Sequence, residues 1–289
     1  MKPVPFTYRR AASVAEACAW RVEDPQAVLI AGGQSLMPML AMRLVRPSQV
    51  IDIGRIPELD AIRVENDHVF IGATTRQETA EQSPIIAEEL PLLARALPWI
   101  GHPPTRRRGT IGGSIANADP AAEIALIAVT LGAEIMIAGA ADGRASLPAA
   151  EFFLAPMVTT LPEGAMVTGL RLPRMPRPRT GSGFAEIARR HGDFALAAAA
   201  AMLSLDSAGA IAGIAVAIGG ATPVPTKLAL DRLIGLRPED QQVAPAIAQA
   251  LAPLDMMTDL HASAPYRRRA AERLAGTVIA MAAAEAAAR

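Results

Sequence analysis

The sequence predicts an α+β fold in three parts, and three observations carry that reading. Over residues 1–56, short apolar runs alternate with helix-period segments, the pattern of a small parallel βαβ unit. Over residues 57–176, apolar runs meet across turn-forming residues, the pattern of antiparallel strands. Over residues 177–289, strand-like runs precede a long helical stretch, which suits a small sheet covered by helices. A chain of 289 residues is about twice the usual length of one domain, so more than one core is expected.

The elements follow in order. Ser13 with Glu16 forms a capping box that starts a helix from Val14 to Val22, and Asp24-Pro25 ends it. Ala27–Ala31 is a short buried strand stopped by Gly32-Gly33. Ser35 is placed to cap a second helix, Leu36 to Leu44, with Met37, Leu40 and Leu44 on one face. Pro47 terminates it, and Val50–Ile53 supplies the second strand.

In the middle part, Ile62–Val64 and His68–Ile71 form a hairpin turning at Glu65-Asn66-Asp67. Thr75 to Ile86 is helical up to Ser83-Pro84, and a further helix covers Ile85–Leu97. Gly101–Gly109 reads as a polar arginine loop, Thr110–Ser114 as another loop, and Pro120–Leu131 as an apolar helix. Glu134–Ile137 and Arg144–Leu147 pair around Asp142-Gly143, and Met166–Leu172 is a further strand. Pro173–Pro178, with three prolines and two arginines, marks a linker. Beyond it come strands at Gly183–Arg190 and Ile211–Ile218, with Ala195–Ser204 readable as strand or helix. Helices at Lys227–Leu233, Gln241–Leu251 and Pro265–Arg289 complete the chain.

Composition narrows the function. The 28 basic and 28 acidic side chains cancel, which removes the electrostatic motive for a nucleic-acid partner. The single cysteine, Cys18, excludes a disulfide framework, a four-cysteine zinc site and an iron–sulfur cluster held by this chain alone. Phe194–Leu205 and Ile211–Ala221 are the most apolar stretches, and Asp206 separates them. Neither reaches the roughly 18–20 apolar residues of a transmembrane span. Met1–Trp20 has no apolar signal core, so a soluble, cytoplasmic protein is expected.

Groups that make or break bonds are scarce. His68, His102, His191 and His261 are scattered and form no metal-ligand spacing; His102 in the polar loop stands closest to function. No nucleophile elbow, cysteine–histidine pair or Gly-Lys phosphate loop occurs. Two glycine pairs stand out instead, Ala31-Gly32-Gly33-Gln34-Ser35 and Thr110-Ile111-Gly112-Gly113-Ser114. A Gly-Gly turn reaches positive φ, turns successive N–H groups toward one point and lets a ligand approach the main chain. A helix N-terminus after Ser35 adds partial positive charge, and Ser35, Thr110 and Ser114 add hydroxyl donors. Converging, two such segments hold a diphosphate with neutral donors; apart, they are plain turns. The Gly-x-Gly-x-x-Gly fingerprint is absent from both, which disfavours a nicotinamide-type site.

These residues carry a family resemblance. Ala31–Leu40 (AGGQSLMPML), Arg43–Pro47 (RLVRP) and Ile51-Asp52-Ile53 resemble the first FAD loop of the flavoprotein (medium) subunits of molybdenum hydroxylases. Gly101-His102-Pro103 and Arg106–Glu123 are similar to that family's second FAD loop, and Arg189–Ala195 (RRHGDFA) to a third motif. The three occur in the family's order and spacing, and the resemblance spans the chain. It implies an FAD-binding fold of two α/β subdomains (residues 1–56 and 57–176) plus a C-terminal subdomain (177–289) with a small antiparallel sheet and helices, FAD lying between the first two. It also implies partners, as a dimer of heterotrimers: a large subunit with the molybdenum cofactor and a small subunit with two 2Fe–2S clusters. The flavin subunit would take electrons from those clusters and pass them to an external acceptor, with no catalytic residue of its own.

By the same resemblance, Ala31, Gly32, Gly33, Gln34 and Ser35 surround the diphosphate, as do Thr110, Ile111, Gly112, Gly113 and Ser114. Asp119 and Glu123 match acidic positions suited to sugar hydroxyls, or else cap the helix near Pro120. Leu161 offers a loop backbone contact. Asp193 and Phe194 lie toward the flavin ring, with core burial the alternative for Phe194. Three positions depart from the family pattern. Arg107 replaces an asparagine, Asn117 a histidine, and Ala185 a lysine of the xanthine dehydrogenase branch, which removes a cationic contact to FAD there. Arg106–Arg108 read either as an anion or partner contact or as a solvated loop. Two rival functions stand beside this one, a stand-alone flavoenzyme of the vanillyl-alcohol-oxidase type and a non-catalytic scaffold. The first needs a base or covalent residue that the histidines do not supply.

Overall fold

In the computed structural model, residues 2–139, 145–175 and 178–289 are described. The expected turn at Asp142-Gly143, Arg144, and the Pro176-Arg177 part of the linker lie outside the described residues.

The N-terminal part is a three-stranded parallel sheet. Strand β1 (Thr7–Arg10) is followed by helix α1 (Val14–Glu23), β2 (Val28–Ile30), α2 (Leu36–Ala41) and β3 (Gln49–Asp52). The strand order is β1-β3-β2, so the predicted βαβ unit is present and β1 is an addition to it. The polar sequence of β1, Thr-Tyr-Arg-Arg, hid it; main-chain pairing to β3 holds it, and Tyr8 and Arg10 both reach Asp52. Ser13 caps α1 as expected, accepting from the Glu16 N–H at 3.2 Å.

The middle part follows with the hairpin β4 (Ile62–Glu65) and β5 (His68–Gly72). Short helices come next: α3 (Gln77–Glu81), α4 (Pro84–Glu89), α5 (Pro91–Ala96), α6 (Pro103–Arg108), α7 (Ile111–Asn117) and α8 (Glu123–Leu131). Pro91 splits the helix expected over Ile85–Leu97, because a proline supplies no N–H to continue the ladder. Strands β6 (Glu134–Ala138) and β7 (Ser146–Pro148), helix α9 (Ala149–Phe152), the small hairpin β8 (Phe153–Ala155) and β9 (Val158–Thr159), and β10 (Met166–Pro173) complete it. The main sheet is antiparallel throughout, in the order β4-β5-β10-β6-β7.

The C-terminal sheet has the order β11-β12-β13-β14, with β11 at Thr180–Ile187, β12 at Ala197–Leu205, β13 at Ile211–Gly219 and β14 at Thr226–Lys227. The ambiguous Ala195–Ser204 segment is therefore a strand, and the strand expected at Gly183–Arg190 lies three residues earlier. The helix expected over Lys227–Leu233 is corrected to β14 and a 3₁₀ turn at Asp231–Leu233. Helices α10 (Val243–Leu251) and α11 (Ala264–Ala288) form as expected.

Small residues let α11 lie on the sheet backbone to backbone. A Cβ on Gly181 would sit 2.0 Å from the Ala282 carbonyl oxygen, and one on Gly183 2.2 Å from that of Val278. Ala197, Ala199 and Ala201 of β12 face the same core as Ala271, Ala275 and Ala282 of α11. On the other face, Phe184, Ala198, Ala200 and Ala217 join the core of the middle part through α5 and α8. Arg267, 2% exposed, fastens the end of this sheet. Its guanidinium donates to the carbonyls of Leu196 and Gly220, each at 2.6 Å, and to the Asp259 carboxylate. Two main-chain N–H groups and Arg267 together hold the Asp259 carboxyl down at about 2, against its burial. Among the described residues, no helix is long and apolar enough to cross a membrane.

Gly183→Ala is expected to lower stability by roughly 1–3 kcal/mol, since its methyl meets helix backbone rather than a flexible side chain. Chemical denaturation of the full chain checks this, and an unchanged midpoint would contradict the close contact.

Candidate functional site

The site begins where β2 ends. The chain turns through Gly32–Ser35 into α2, and Gly33 takes φ of +71°, the left-handed region that favours glycine. Ser35 does not cap α2, contrary to expectation. Its own backbone is already helical (φ −96°, ψ −48°), whereas a capping side chain requires an extended residue. The helix also closes after Ala41 rather than Leu44, where Arg43 turns to φ of 60°. The N–H groups of Gly32, Gly33, Gln34 and Ser35, which precede the ladder of α2, find no acceptor among the described residues. Four successive unsatisfied main-chain donors are the makings of an anion cradle.

The second glycine pair works differently. Thr110–Ser114 is the first turn of α7 rather than a loop, and neither Gly112 nor Gly113 has positive φ. Four of its five N–H groups are already used. Ile111 donates to Thr75 O at 3.0 Å, Gly112 to Ala73 O at 2.9 Å, Ser114 to Thr110 O at 3.1 Å, and Gly113 to the capping Thr110 hydroxyl at 3.1 Å. The glycines are there for closeness. A Cβ on Gly112 would lie 2.4 Å from that of Ala73, and one on Gly113 2.6 Å from Thr110 Oγ1. The Ser114 hydroxyl and the Thr110 N–H make no hydrogen bond among the described residues, so they are the donors this segment offers.

The two segments meet. A Cβ on Gly32 would fall 2.2 Å from the Arg108 carbonyl oxygen and 2.9 Å from Gly109 Cα. Between them opens a crevice of about 640 Å³, inside the roughly 300–1,000 Å³ range of ligand sites. Ala31, Gly32, Gly33, Gln34 and Ser35 line it from the N-terminal part. Thr110, Gly112, Gly113, Ser114, Asp119, Glu123 and Leu161 line it from the middle part, and Asp193 and Phe194 from the C-terminal part. Ile111 is the exception: its side chain is fully buried in the core.

Phe194 is 76% exposed, so core burial is not its role. The loop before it is anchored. His191 packs edge-on against Trp99 with ring centroids 5.5 Å apart, and Gly192, at φ +83°, fits against the His102 ring. His102 therefore supports the loop and does not itself line the crevice. The arginine segment, expected as a loop, is helix α6. Arg106 is buried and structural, paired with both Glu81 oxygens (2.7 and 3.2 Å) and with the carbonyls of Ile100 and Gly101. Arg107 pairs with Glu78 at 3.0 Å on the surface.

Acidic groups crowd one wall. Asp119 accepts from the Ala121 N–H at 2.9 Å, the capping-type contact considered from sequence, while also lining the crevice. Burial pushes the Glu123 carboxyl up to about 7, with the Asp119 charge adding to the shift. Glu186 on β11 is pushed up to about 8 by burial and then by Glu123, and its Oε2 is buried without a partner. The geometry thus offers neutral donors for an anion, carboxyls for hydroxyl groups and apolar surface at the ends. Among the described residues it presents no group of three metal-binding side chains.

Arg21 and Glu186 escaped the sequence reading. Arg21 looks like an ordinary basic residue in the last turn of α1, and Glu186 like the polar position of an alternating strand. Only the fold brings Arg21 to the crevice and Glu186 toward Glu123.

Comparison with known proteins bears on this geometry. Residues 4–175 match the FAD binding domain in molybdopterin dehydrogenase, and residues 182–282 the CO dehydrogenase flavoprotein C-terminal domain. The chain is 38% identical to the 6-hydroxypseudooxynicotine dehydrogenase complex subunit alpha of Paenarthrobacter nicotinovorans, over 92% of this chain and 90% of that one. Its structure is similar to the carbon monoxide dehydrogenase of Hydrogenophaga pseudoflava, with a TM-score of 0.93 at 34% identity, covering 99% of both chains. It is similar to quinoline 2-oxidoreductase of Pseudomonas putida 86 as well, with a TM-score of 0.92 at 34% identity and 99% of both chains covered.

The raised carboxyl predicts a pH signature. Glu186 keeps its proton in the folded chain up to about pH 8 but loses it near 4.5 when unfolded, so its contribution is intact below 4.5 and is lost as pH rises through 8. Melting temperatures of the flavin-free protein should show Glu186→Gln gaining on the wild type as pH climbs from 5 to 8.5. A constant difference across that window would contradict a buried, protonated Glu186.

Proposed function

Because the chain belongs to the family of FAD-binding subunits of molybdopterin dehydrogenases and CO dehydrogenase flavoproteins, we propose that it is the electron-transfer subunit of a heteromeric molybdenum hydroxylase. In this reading it accepts electrons from 2Fe–2S clusters of a small partner subunit and passes them to an external acceptor. A large subunit holds the molybdenum cofactor and the substrate, and the assembly is a cytoplasmic dimer of heterotrimers. The subunit-alpha designation of the Paenarthrobacter relative supports membership of a complex.

The observation that carries the proposal is the row of unpartnered N–H groups at Gly32–Ser35, held against Arg108 and Gly109. That cradle fits a diphosphate, and the crevice, about 640 Å³ and lined from all three parts of the chain, has room for a dinucleotide. FAD, when bound, supplies reversible transfer of one or two electrons. The chain's own part is to bind, orient and shield. Gly32, Gly33, Gln34, Ser35 and the Ser114 hydroxyl would hold the diphosphate, and Asp119 and Glu123 would accept from sugar hydroxyls. Asp193 and Phe194 would border the flavin ring, and Leu161 would contact the opposite end. The 76% exposure of Phe194 suits a ring edge that awaits a partner's surface.

Two measurements test this. The purified chain should bind FAD with one-to-one stoichiometry, and Gly33→Val and Gly113→Val, compared as variants whose circular dichroism matches the wild type, should retain less than about a tenth of the flavin. Undiminished flavin in both variants would remove the site from this crevice. Substrate should reduce the flavin only when the molybdenum and iron–sulfur subunits are present; reduction by the isolated chain would favour the stand-alone enzyme.

A further inference from the structure

The crevice is lined by four charged side chains among the described residues, and three of them are acids: Asp119, Glu123 and Asp193. The fourth is Arg21, from the last turn of α1. It shares the crevice lining with Val28, Leu29, Leu161 and Val167, and it leaves α1 ahead of β2, whose other end carries Gly32–Ser35. One guanidinium nitrogen donates to the Ala165 carbonyl, which fixes the group across the N-terminal and middle parts. The remaining nitrogens have no acceptor among the described residues, yet they are not sealed in the core. Arg21 is thus a positioned planar cation, half-buried among apolar residues, with donors to spare.

What the cation meets follows from the orientation proposed above. With the diphosphate at Gly32–Ser35 and the flavin ring toward Asp193, the adenosine occupies the Arg21 end. Arg21 comes before β2 and Gly32–Ser35 after it, so the strand separates this helix end from the main-chain diphosphate donors. Purines, however, present both a π-face and ring-nitrogen acceptors, and arginine suits either. Leu29 and Val167 supply apolar surface for the base. We propose that Arg21 contacts the adenine base and makes the site select the dinucleotide over FMN. The inference rests on the FAD reading and deepens it.

The test compares ligands. The full chain is stripped of flavin and titrated with FAD and with FMN by calorimetry. Arg21→Met should weaken FAD about tenfold and leave FMN unchanged, because FMN lacks the adenosine. Arg21→Lys preserves the charge and a donor for Ala165 but not the planar fork, and should weaken FAD similarly. Equal losses for FAD and FMN in Arg21→Met would assign Arg21 to holding the fold and overturn the proposal. If that variant does not fold, Arg21→Lys decides alone: wild-type FAD affinity overturns it, and a loss confined to FAD supports it. Wild-type protein that takes up no FAD would instead sink the function proposed above, and this inference with it.

Discussion

The site depends on one contact between main chains, Gly32 against the Arg108 carbonyl and Gly109 Cα. With a side chain at residue 32, the N-terminal sheet and the middle part would stand further apart. The row of donors at Gly32–Ser35 would then no longer face the wall built by α7. The donors are free for a reason of local conformation. They sit on a turn, outside any ladder, and the chain brings them to the crevice instead of to a partner. Binding strength in such a site comes from neutral dipoles already aimed, which is compatible with a chain carrying equal numbers of acidic and basic side chains.

Close approach recurs through the molecule. Gly112 lets α7 sit on Ala73, and Gly181 and Gly183 let α11 lie on β11. The alanines of β12 permit cover on both faces of the sheet. Rigidity at the site is thereby inherited from the scaffold. Thr110 caps α7 while α7 is pinned to the end of β5, and the loop carrying Phe194 rests on Trp99 and His102.

Much of this was legible in the residues, for identifiable reasons. The βαβ unit, the hairpins and the long final helix follow apolar periodicity, which local sequence encodes directly. β1 was missed because main-chain pairing and charged side chains hold it, with no apolar alternation to announce it. Thr110–Ser114 reads as a loop in sequence because paired glycines disfavour a helix, whereas the Thr110 cap and the Ala73 contact outweigh that cost. Fourteen of the fifteen candidate site residues do line one crevice, and Ile111 does not because it shares with Ile115, four residues on, the face of α7 turned into the core. Arg21 carried no signal, since its role depends on a carbonyl 144 residues away.

Helix α8 carries a consequence of its own. Its apolar surface is shared, one side facing the middle sheet and the other β12 and β13. The two stretches matched by separate family models therefore do not behave as beads on a string. Exchanging the rear half for that of a distant cousin would require the newcomer to reproduce the imprint of this one helix. Evolutionary shuffling among such subunits is accordingly constrained at a seam that no boundary drawn along the chain would reveal.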